Sequence, residues 1–388
     1  MSQIKNAVII GSTGSVGGQS LDVIRTGIGV RVIALSCGGN LSLFAEQINE
    51  FAPRYIYSET LANAGAAERK SFLDGLTLKK GVKPPEFAAS NEELASLPEA
   101  GTVLLASSGL GGINPAIAAL KAGKTLALAN KESLVSAGDF IMDAAARCGG
   151  EIIPVDSEHS AIFQCLRGAH GNAPKRIILT ASGGAFRDFT ADRLKNVTPE
   201  EALAHPVWRM GKKVTVDSAS LMNKGLEFIE AMRLFSVAPE KIDVVIHREG
   251  IVHSAVEFAD NAVIAMLALP DMRLPIRYAL TYPDRAEGLP AALDFSKIGF
   301  LSFEKPDLQR FSCLNLAISA AKAGGAAPAV LCASDGAAVE LFLQRKIGFT
   351  DIPVLVEKAL NRFSGEKYGD SEQLLRIINE VEQYTYYI

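Results

Sequence analysis

Short apolar runs alternate with amphipathic stretches along the first 150 residues of this 388-residue chain. The runs NAVII, VRVIAL, TVLLAS and TLALAN are rich in aliphatic and β-branched residues, and stretches with helical periodicity separate them. Such alternation is typical of a parallel sheet that is covered by helices. We therefore predict that residues 1–150 form a Rossmann-like α/β domain.

The pattern changes after residue 150. From 151 to 280 the loops are longer and helical stretches fewer, which predicts an α+β domain with a largely open sheet. Its predicted strands are EIIPV, RIILTA, KKVTV, DVVIH, AVEFA and AVIAMLAL. Residues 281–307 hold several prolines and little periodicity, which indicates a linker. Residues 308–388 show the helical period in LNLAISAAKAG, AAVELFLQRKI and DIPVLVEKALNRF, so we predict a small C-terminal helical domain.

Composition narrows the class of partner. Hydrophobic residues make up 48% and charged residues 21%, which is ordinary for a globular protein with a buried core. Lys and Arg total 39 against 43 Asp and Glu, and the net charge of -4 offers no basic field for nucleic acid or anionic lipid. We therefore expect a small-molecule partner, no nucleic acid and no membrane.

The cysteines and the start of the chain bear on the cellular compartment. Five cysteines are scattered without a CxxC spacing, which predicts buried thiols in a reducing cytoplasm instead of disulfides or zinc ligands. A first strand is predicted from about Ile4, which leaves no room for a signal or transit peptide, and no apolar run reaches membrane-spanning length. We expect a cytoplasmic protein.

A glycine-rich turn follows the first predicted strand. In GSTGSVGGQSLDVI, Gly11, Gly14 and Gly17 form a Gly-x-x-Gly-x-x-Gly motif that opens a helix. Backbone N–H groups at such a helix start can approach a pyrophosphate closely. A tight turn without a ligand is the alternative, but the position after the first strand of an α/β domain favours a dinucleotide.

The end of the second predicted strand bears on which dinucleotide binds. VRVIALS ends in Cys37-Gly38-Gly39-Asn40, where a NAD-binding protein usually places an acid for the ribose 2′-hydroxyl. Because no carboxylate is present to repel a 2′-phosphate, we predict that the cofactor is NADPH. No arginine or lysine follows this strand, so the prediction depends on the missing acid.

Two carboxylates follow the apolar run EIIPV in the stretch VDSEHSA. On a strand, Asp156 and Glu158 share one face and can converge on one point. Their hard oxygen donors suit Mg²⁺ or Mn²⁺ better than zinc. A solvated loop with a capping aspartate explains the pair equally well, so this stretch alone leaves both interpretations open.

A third acid lies in VTVDSASLMNKGLEFIEAMRLF, which we predict to run from a strand into a helix. Asn223 and Glu227 are four residues apart and share one helical face. Ser218 and Ser220 fall at the predicted strand-to-helix junction, where they can cap the helix or bind an oxyanion. Ser218, Asn223 and Lys224 can therefore bind a phosphate beside a metal held by Glu227. The commoner alternative is an amphipathic helix with a serine cap.

Two further segments fit around these residues. LTASGGAF places Ser182 before a glycine pair, where a hydroxyl and accessible N–H groups can bind an anion, although a plain turn is equally compatible. HPVWRMG carries His205 and the only tryptophan, Trp208, in a predicted loop. The tryptophan either anchors this loop to the core or closes over a ligand.

These motifs in their order resemble those of the 1-deoxy-D-xylulose 5-phosphate reductoisomerase family over nearly the whole chain. They are GSTGSVG, ALANKESLV, PVDSEHSAIFQ, ASGGAF, HPVWRMG, VDSASLMNKGLEFIEA and PDMRLPI. The resemblance implies a homodimeric enzyme of the methylerythritol phosphate route to isoprenoids, dependent on NADPH and a divalent metal. It implies a metal-assisted rearrangement of a sugar phosphate to an aldehyde, which NADPH reduces to 2-C-methyl-D-erythritol 4-phosphate.

The resemblance also implies roles for individual residues. The implied metal ligands are Asp156, Glu158 and Glu227, and the implied contacts with the substrate's oxygens are Lys131 and Ser157. The residues implied to hold the phosphate end and backbone of the substrate are Ser182, His205, Ser218, Asn223 and Lys224, with Trp208 and Met210 on a closing loop. The implied nucleotide contacts are Thr13, Gly14, Ser15, Val16, Gly38, Gly39, Asn40, Asn130, Glu132 and Gly211.

The sequence departs from the family's pattern at three places. Gly39 stands where many members have lysine or arginine, so selectivity for NADPH has to come from other contacts. Ala185 replaces a frequent proline after the Ser-Gly-Gly turn. Asp335-Gly336 replaces a usual asparagine-glutamate pair, which bears on helix packing in the C-terminal domain.

Two other functions are compatible with parts of the pattern. An NADP-dependent dehydrogenase acting on an aldehyde, of the semialdehyde or homoserine kind, also joins a Rossmann domain to an α+β domain and needs no metal. A catalytically silent NADP-binding sensor would leave Asp156, Glu158 and Glu227 without a purpose. Turnover that requires a metal distinguishes the reductoisomerase from both.

Overall fold

The computed structural model describes residues 4–288 and 291–388, and the chain forms two compact units. The predicted boundary at residue 150 lies close to Asp156, where the chain passes into the second unit. Part of the predicted linker belongs to the first unit, and the division into three domains stays a prediction. Unit 1 comprises Met1–Ser133, Asp139–Asp156 and Asp271–Ala291, and unit 2 comprises Leu134–Gly138, Ser157–Pro270 and Ala292–Ile388.

A seven-stranded parallel sheet forms the centre of unit 1. Its strands are β1 (Lys5–Ile10), β2 (Val30–Cys37), β3 (Tyr55–Ser58), β4 (Glu86–Phe87), β5 (Thr102–Leu105), β6 (Thr125–Leu128) and β7 (Glu151–Pro154). They lie in the order β4-β3-β2-β1-β5-β6-β7. The chain builds the sheet outward on one side of β1 and then on the other, so a topological switch point lies between β1 and β5. Open α/β sheets bind ligands at such a point, and the Rossmann-like prediction is confirmed.

The central strands of this sheet are buried on both faces. Ala7, Val8, Ile9 and Ile10 of β1 are fully buried, which explains why such strands are continuous apolar runs without alternation. The assignment of EIIPV to the second sheet is wrong, because β7 pairs with β6 in the first sheet. An apolar run carries no local signal of which sheet it will join.

Unit 2 contains a four-stranded mixed sheet. Its strands are β8 (Arg176–Ala181), β9 (Ile242–Ile246), β10 (Val252–Glu257) and β11 (Val263–Leu267), in the order β11-β10-β8-β9. β8 and β9 run parallel, and the other pairs are antiparallel. The predicted strand KKVTV is wrong, because these residues lie in a helix that spans Lys212–Ser220.

Helices account for much of the remaining chain. Short 3₁₀ segments lie at Leu110–Gly112, Pro239–Lys241 and Phe295–Lys297. The last four helices confirm the predicted helical C-terminal region. In chain order the helices are α1 (Ser15–Arg25), α2 (Leu41–Phe51), α3 (Glu59–Ala62), α4 (Ala66–Asp74), α5 (Asn91–Ala95), α6 (Ile113–Lys121), α7 (Lys131–Cys148), α8 (Ser157–Gly168), α9 (Ala191–Leu194), α10 (Pro199–Ala202), α11 (Lys212–Ser220), α12 (Met222–Phe235), α13 (Arg273–Thr281), α14 (Ser312–Ala323), α15 (Ala327–Leu343), α16 (Asp351–Phe363) and α17 (Ser371–Tyr387).

None of the five cysteines, all of which lie in the described part of the chain, forms a disulfide, and four of them are buried. Cys148 is exposed, so the prediction of buried thiols is wrong at that position. Burial raises the pKa of the Cys37 and Cys165 thiols to about 11, which keeps both protonated and unreactive near neutral pH. Over residues 4–288 and 291–388, none of the helices combines the length and hydrophobicity that crossing a membrane requires.

Candidate active site

The glycine turn of unit 1 leads directly into the first helix. α1 begins at Ser15, and Gly14 at its N-cap is extended and provides no side-chain cap. A Cβ on Gly17 would overlap the carbonyl oxygen of Gly11 and lie 2.7 Å from the Cα of Ser12, so only glycine allows the helix to pack this closely. The first N–H groups of the helix have no intrahelical acceptor and favour an anion. Thr13, Gly14, Ser15 and Val16 lie at this helix start, as predicted.

The end of β2 forms a second exposed turn in unit 1. The carbonyl oxygen of Gly38 accepts hydrogen bonds from Ser58 Oγ at 3.0 Å and Thr60 Oγ1 at 3.1 Å. Asn40 caps α2, because its side chain accepts the N–H of Leu43. The sequence did not single out the two hydroxyl residues that support this turn. They lie about twenty residues further along the chain, at the end of β3 and in the first turn of α3, which only the sheet order brings alongside.

Asn130 joins two loops at the carboxyl edge of the first sheet. Its amide donates to the carbonyl oxygens of Ser107 at 2.6 Å and Gly109 at 2.8 Å. Its carbonyl oxygen accepts the N–H of Ser133 at 2.8 Å and so caps α7. Because the protein uses both amide hydrogens, the side chain serves to shape this edge. The pattern of asparagine before a helix start would have predicted the cap from sequence.

Two predicted residues lie in the first turn of α7. The ammonium of Lys131 is 3.0 Å from Oδ2 of Asp156, and their side chains are only 8% and 14% exposed. Glu132 is also buried. The ion pair fixes the ammonium of Lys131 beside Asp156, which lies two residues after the end of β7.

The carboxylate of Glu158 lies on a helix, and the expectation of a shared strand face is wrong. The strand ends at Pro154, and α8 begins at Ser157, whose Oγ donates to Glu158 Oε2 at 2.6 Å. Asp156 is joined to Glu158 by two peptide units, so their Cα atoms are at most about 7 Å apart. Chain connectivity therefore keeps the two acids close although they share no strand.

Glu158 and Glu227 meet within unit 2. A carboxylate oxygen of one lies within 4.8 Å of a carboxylate oxygen of the other. The ammonium of Lys224 lies 3.0 Å from Glu158 Oε1 and also hydrogen-bonds Glu227. Asn223 donates to Glu227 Oε1 at 2.5 Å. Lys224 and Glu227 are almost fully buried, so these charges interact with little screening by water.

The donor set fits a hard divalent cation. The two acids present only oxygen ligands, without thiolate, which is the set that Mg²⁺ and Mn²⁺ prefer. The position of the Lys224 ammonium between the carboxylates of Glu158 and Glu227 indicates that this pair requires positive charge. A cation at this place would satisfy the same requirement.

A buried histidine orients the helix that carries Glu227. The ring of His159 is fully buried, and its Nε2–H donates to the backbone carbonyl of Glu227 at 2.9 Å. The same ring lies 3.9 Å from the carboxylate of Glu230. The sequence showed this histidine next to the acid pair but offered no signal for its partner, which lies 68 residues away.

Three residues predicted to hold the substrate's phosphate end meet in unit 2. The Nε2 of His205 lies 3.0 Å from Ser182 Oγ and 3.1 Å from Ser218 Oγ. The prediction placed Ser218 at a strand-to-helix junction, which is wrong, because it lies in the last turn of α11. The chain turns sharply at Leu221, in the left-handed region with φ 61°, before α12 brings Asn223.

The hydrogen bonds of His205 determine its tautomer. Its Nδ1 accepts the backbone N–H groups of Val207 at 3.1 Å and Trp208 at 2.8 Å. Burial, with a contribution from the positive charge of Arg187, lowers the pKa of His205 to about 4. The ring is therefore neutral near pH 7 and carries its hydrogen on Nε2, which donates toward the two serine oxygens.

The glycine pair after Ser182 allows this meeting. Gly184 has φ 72°, and a Cβ there would overlap the carbonyl oxygen of Ser218. Ser182 Oγ accepts the N–H of Gly184 at 3.3 Å, and Ser182 O accepts from Arg187 Nη1 at 3.0 Å. Sequence analysis missed Arg187, whose position in the same short loop is its only signal.

The loop with the only tryptophan is irregular, as predicted. Trp208 packs edge-on against the ring of His253, with ring centroids 5.9 Å apart. This contact agrees with a role of Trp208 in anchoring the loop to the core. Closure of the loop over a ligand stays a prediction. Met210 follows in the loop, and Gly211 forms the N-cap of α11, where its carbonyl accepts the N–H of Thr215 at 3.0 Å.

Comparisons with known proteins extend over nearly the whole chain. The family model described as 1-deoxy-D-xylulose 5-phosphate reductoisomerase matches residues 7–138. The model of the C-terminal domain of the same enzyme matches residues 152–235, and a second model, described as DXP reductoisomerase C-terminal domain, matches residues 267–384.

Individual relatives agree with these models. The 1-deoxy-D-xylulose 5-phosphate reductoisomerase of Heliobacterium modesticaldum is 49% identical, covering 95% of this chain and 93% of the relative. That of a Geobacillus species is 47% identical, covering 98% and 99%. The solved structure of the Zymomonas mobilis enzyme with NADPH has a TM-score of 0.88 at 38% identity, covering 99% and 98% of the two chains. A DOX-P reductoisomerase in complex with NADPH, fosmidomycin and magnesium has a TM-score of 0.91 at 36% identity, covering 98% and 96%.

Proposed function

The chain belongs to the 1-deoxy-D-xylulose 5-phosphate reductoisomerase family, and from that premise we propose how its residues carry the family reaction. The reaction is the NADPH-dependent conversion of 1-deoxy-D-xylulose 5-phosphate into 2-C-methyl-D-erythritol 4-phosphate. The observation that carries the proposal is the Lys224 ammonium, buried between the carboxylates of Glu158 and Glu227. The two alternative functions, a metal-independent dehydrogenase and a catalytically silent sensor, do not require this cluster of charged residues.

Asp156, Glu158 and Glu227 hold the divalent cation in this proposal. When bound, Mg²⁺ or Mn²⁺ draws electron density from the carbonyl and hydroxyl oxygens of the substrate and stabilises negative charge on them. Asn223 supports the site because its amide orients the carboxylate of Glu227. The Lys224 ammonium places a positive charge between the two glutamates, and it can also turn to an anionic oxygen of the substrate.

Ser182, Ser218, Asn223 and Lys224 hold the phosphate end. His205 donates its Nε2–H toward both serine oxygens, so each serine can direct its own O–H hydrogen to a phosphate oxygen. The phosphate is remote from the reacting carbons, and its binding energy can position them. The backbone hydrogen bonds from Val207 and Trp208 to His205 link this end to the loop that also carries Met210.

Lys131 and Ser157 contact the oxygens of the substrate near the reacting carbons. The ion pair with Asp156 orients the Lys131 ammonium, which can stabilise negative charge on an oxygen as the carbon skeleton rearranges. The hydroxyl of Ser157 is held by Glu158 in the first turn of α8. Both groups are buried, so a substrate that displaces the remaining water meets preorganised donors.

All of the proposed nucleotide contacts except Gly211 belong to unit 1. NADPH, when bound, supplies the hydride that reduces the aldehyde. The start of α1 offers unpaired N–H groups to its pyrophosphate, and the turn after β2 lies where the adenosine ribose binds in Rossmann folds. We propose contacts from the residues named by resemblance: Thr13, Gly14, Ser15, Val16, Gly38, Gly39, Asn40, Asn130, Glu132 and Gly211.

A homodimer and a cytoplasmic location complete the proposal. β11 lies at the edge of its sheet, and Val263 and Ile264 on this strand are 53% and 42% exposed. An edge strand with exposed apolar residues can pair with a second copy of the chain. Such pairing would cover both the strand edge and the exposed side chains. The absence of disulfides among the five cysteines, all within the described residues, supports a reducing compartment. Light scattering after gel filtration tests the dimer, since the chain mass is 41.2 kDa.

The function is tested by following NADPH absorbance with 1-deoxy-D-xylulose 5-phosphate as the substrate. We expect oxidation with Mn²⁺ or Mg²⁺ that stops when EDTA is added and returns with excess metal. Glu227→Gln is expected to lower turnover strongly, and Asp192→Asn, an exposed acid paired with Lys195, is the matched control. Turnover that continues in EDTA would contradict the metal site.

A further inference from the structure

One buried ion cluster of unit 2 takes no part in the mechanism above. The ammonium of Lys213 lies 2.6 Å from Asp217 Oδ2 and 2.8 Å from Asp335 Oδ2. Both aspartate side chains are fully buried, whereas that of Lys213 is 28% exposed. Two carboxylates therefore share one lysine inside the fold.

The cluster joins α11, which carries Ser218, to α15 of the C-terminal region. Lys213 and Asp217 lie one turn apart on α11, and Asp335 lies near the middle of α15, the most deeply buried helix of the C-terminal region. α11 packs directly against α15. Ser218, which hydrogen-bonds His205, is the residue after Asp217. Lys213 therefore restrains α11 five residues before Ser218, which is an axial spacing of roughly 7.5 Å.

Burying the carboxylate of Asp335 at this place costs desolvation free energy. Its Oδ1 has no hydrogen-bond partner among the residues that the structure describes. A buried carboxylate in a poorly solvated region is costly unless a cation pairs with it, and the Lys213 ammonium supplies that cation for Asp335. Burial and then the charge of Asp335 raise the pKa of the Cys313 thiol, in keeping with a carboxylate close to that thiol. Packing alone gives no reason for an acid here.

We propose that Asp335 is a positioning residue for the phosphate end of the substrate. It holds Lys213, and through Lys213 it sets the axial position and rotation of α11, and thereby the direction of the Ser218 hydroxyl. The inference builds on the proposed role of Ser218 in phosphate binding. It also gives a task to the Asp335-Gly336 departure from the family's usual pair.

The test compares Asp335→Asn, Ser218→Ala and the double variant. Asparagine keeps the shape of the side chain and removes the charge, so we expect a folded protein whose thermal midpoint stays close to that of the wild type. The KM for 1-deoxy-D-xylulose 5-phosphate should rise about tenfold, because a misplaced donor loses affinity, while kcat and the KM for NADPH change less than about twofold. Ser334→Ala is the matched control, since Ser334 is buried on the same helix and its Oγ donates to the carbonyl oxygens of Val330 and Leu331 in the preceding turn.

The double variant separates positioning from general loosening. If Asp335 acts through the Ser218 hydroxyl, Asp335→Asn raises the substrate KM little further once Ser218 is alanine. Additive effects on KM, or an equal rise in the KM for NADPH, would overturn the inference. An unchanged KM in Ser218→Ala would instead overturn the proposed phosphate site. If Asp335→Asn does not fold, Lys213→Arg keeps the ion pair with an altered reach and enters the same comparison, with the same criteria.

Discussion

Lys224 reaches from α12 to α8, where its ammonium lies 3.0 Å from Oε1 of Glu158. The same ammonium hydrogen-bonds Glu227, three residues further along α12. Because Lys224 and Glu227 are almost fully buried, this contact holds two helices at a fixed separation and places a positive charge between two acids. Removing one partner of such a cluster leaves a buried charge uncompensated.

Glu227→Gln is the first variant that this geometry recommends. Glutamine keeps the volume of the side chain and its contact with Asn223, but it removes a charged ligand from the proposed metal site. We expect kcat to fall by on the order of 100-fold or more, with the KM for NADPH unchanged. Steady-state kinetics with both substrates varied measures the two effects. A parallel loss of NADPH affinity would mean that the metal lies elsewhere.

Metal binding also has a readout that is independent of turnover. A cation that binds only the folded protein stabilises it, so Mn²⁺ should raise the thermal midpoint of the wild type in a concentration-dependent way. Glu227→Gln should lose most of this rise, whereas Asp192→Asn should keep it. An equal rise in all three proteins would indicate metal binding at another place.

The first sheet was predictable because its signal is local. Residues such as Ala7 and Ile10 in β1 are apolar on both faces, and such runs between amphipathic stretches indicate parallel strands. KKVTV misled because β-branched residues favour strands by propensity. The segment is a helix for three reasons: the N-cap at Gly211, the ion pair of Lys213 with Asp217 one turn later, and the packing against α15. Strand propensity reports neither the cap nor the packing.

The candidate site likewise combines local features that the sequence predicts with long-range contacts that it does not. The Gly17 turn and the four-residue spacing of Asn223 and Glu227 were readable from the sequence, since both are local. The contact of His159 with the Glu227 carbonyl and that of Asp335 with Lys213 join residues more than 60 positions apart. No single-sequence pattern reports such pairs, because they exist only after the helices pack.

The pKa of His205 gives a pH prediction. It is about 4 in the folded protein, against about 6.5 for an unperturbed histidine. The unfolded chain binds more protons between these values, so the stability contribution of this group is fully present above pH 6.5 and is lost as pH falls toward 4. NMR titration of the imidazole should show no transition between about pH 5 and 8, with His205→Gln to assign the signal. Arg187→Gln should raise the pKa, and a titration near 6.5 in the wild type would contradict the lowered pKa of His205.

Gly39 offers a gain-of-affinity test of the nucleotide site. Its φ lies outside the left-handed region, and a Cβ would make only an ordinary contact, 3.5 Å from Thr60 Oγ1. Gly39→Lys should therefore fold normally and place a cation beside a 2′-phosphate. We expect the KM for NADPH to fall by about three- to tenfold and the KM for NADH to stay unchanged. Gly39→Ala controls for the backbone, and an equal effect on both nucleotides would place the 2′-phosphate elsewhere.

Gly17 and Gly18 form a matched pair for testing the turn that begins α1. A Cβ on Gly17 would overlap the Gly11 carbonyl oxygen, whereas one on Gly18 meets no atom within 4 Å. Gly17→Ala should lower the free energy of unfolding by about 1–3 kcal/mol, because the helix start must move away from the turn. Gly18→Ala should raise it by about 0.5–1 kcal/mol, since alanine is the better helix former. Because the helix start is also the proposed pyrophosphate site, the KM for NADPH should rise about tenfold in Gly17→Ala alone. Urea unfolding and NADPH titration measure both effects, and equal behaviour of the two variants would show that the close packing of Gly17 does not matter.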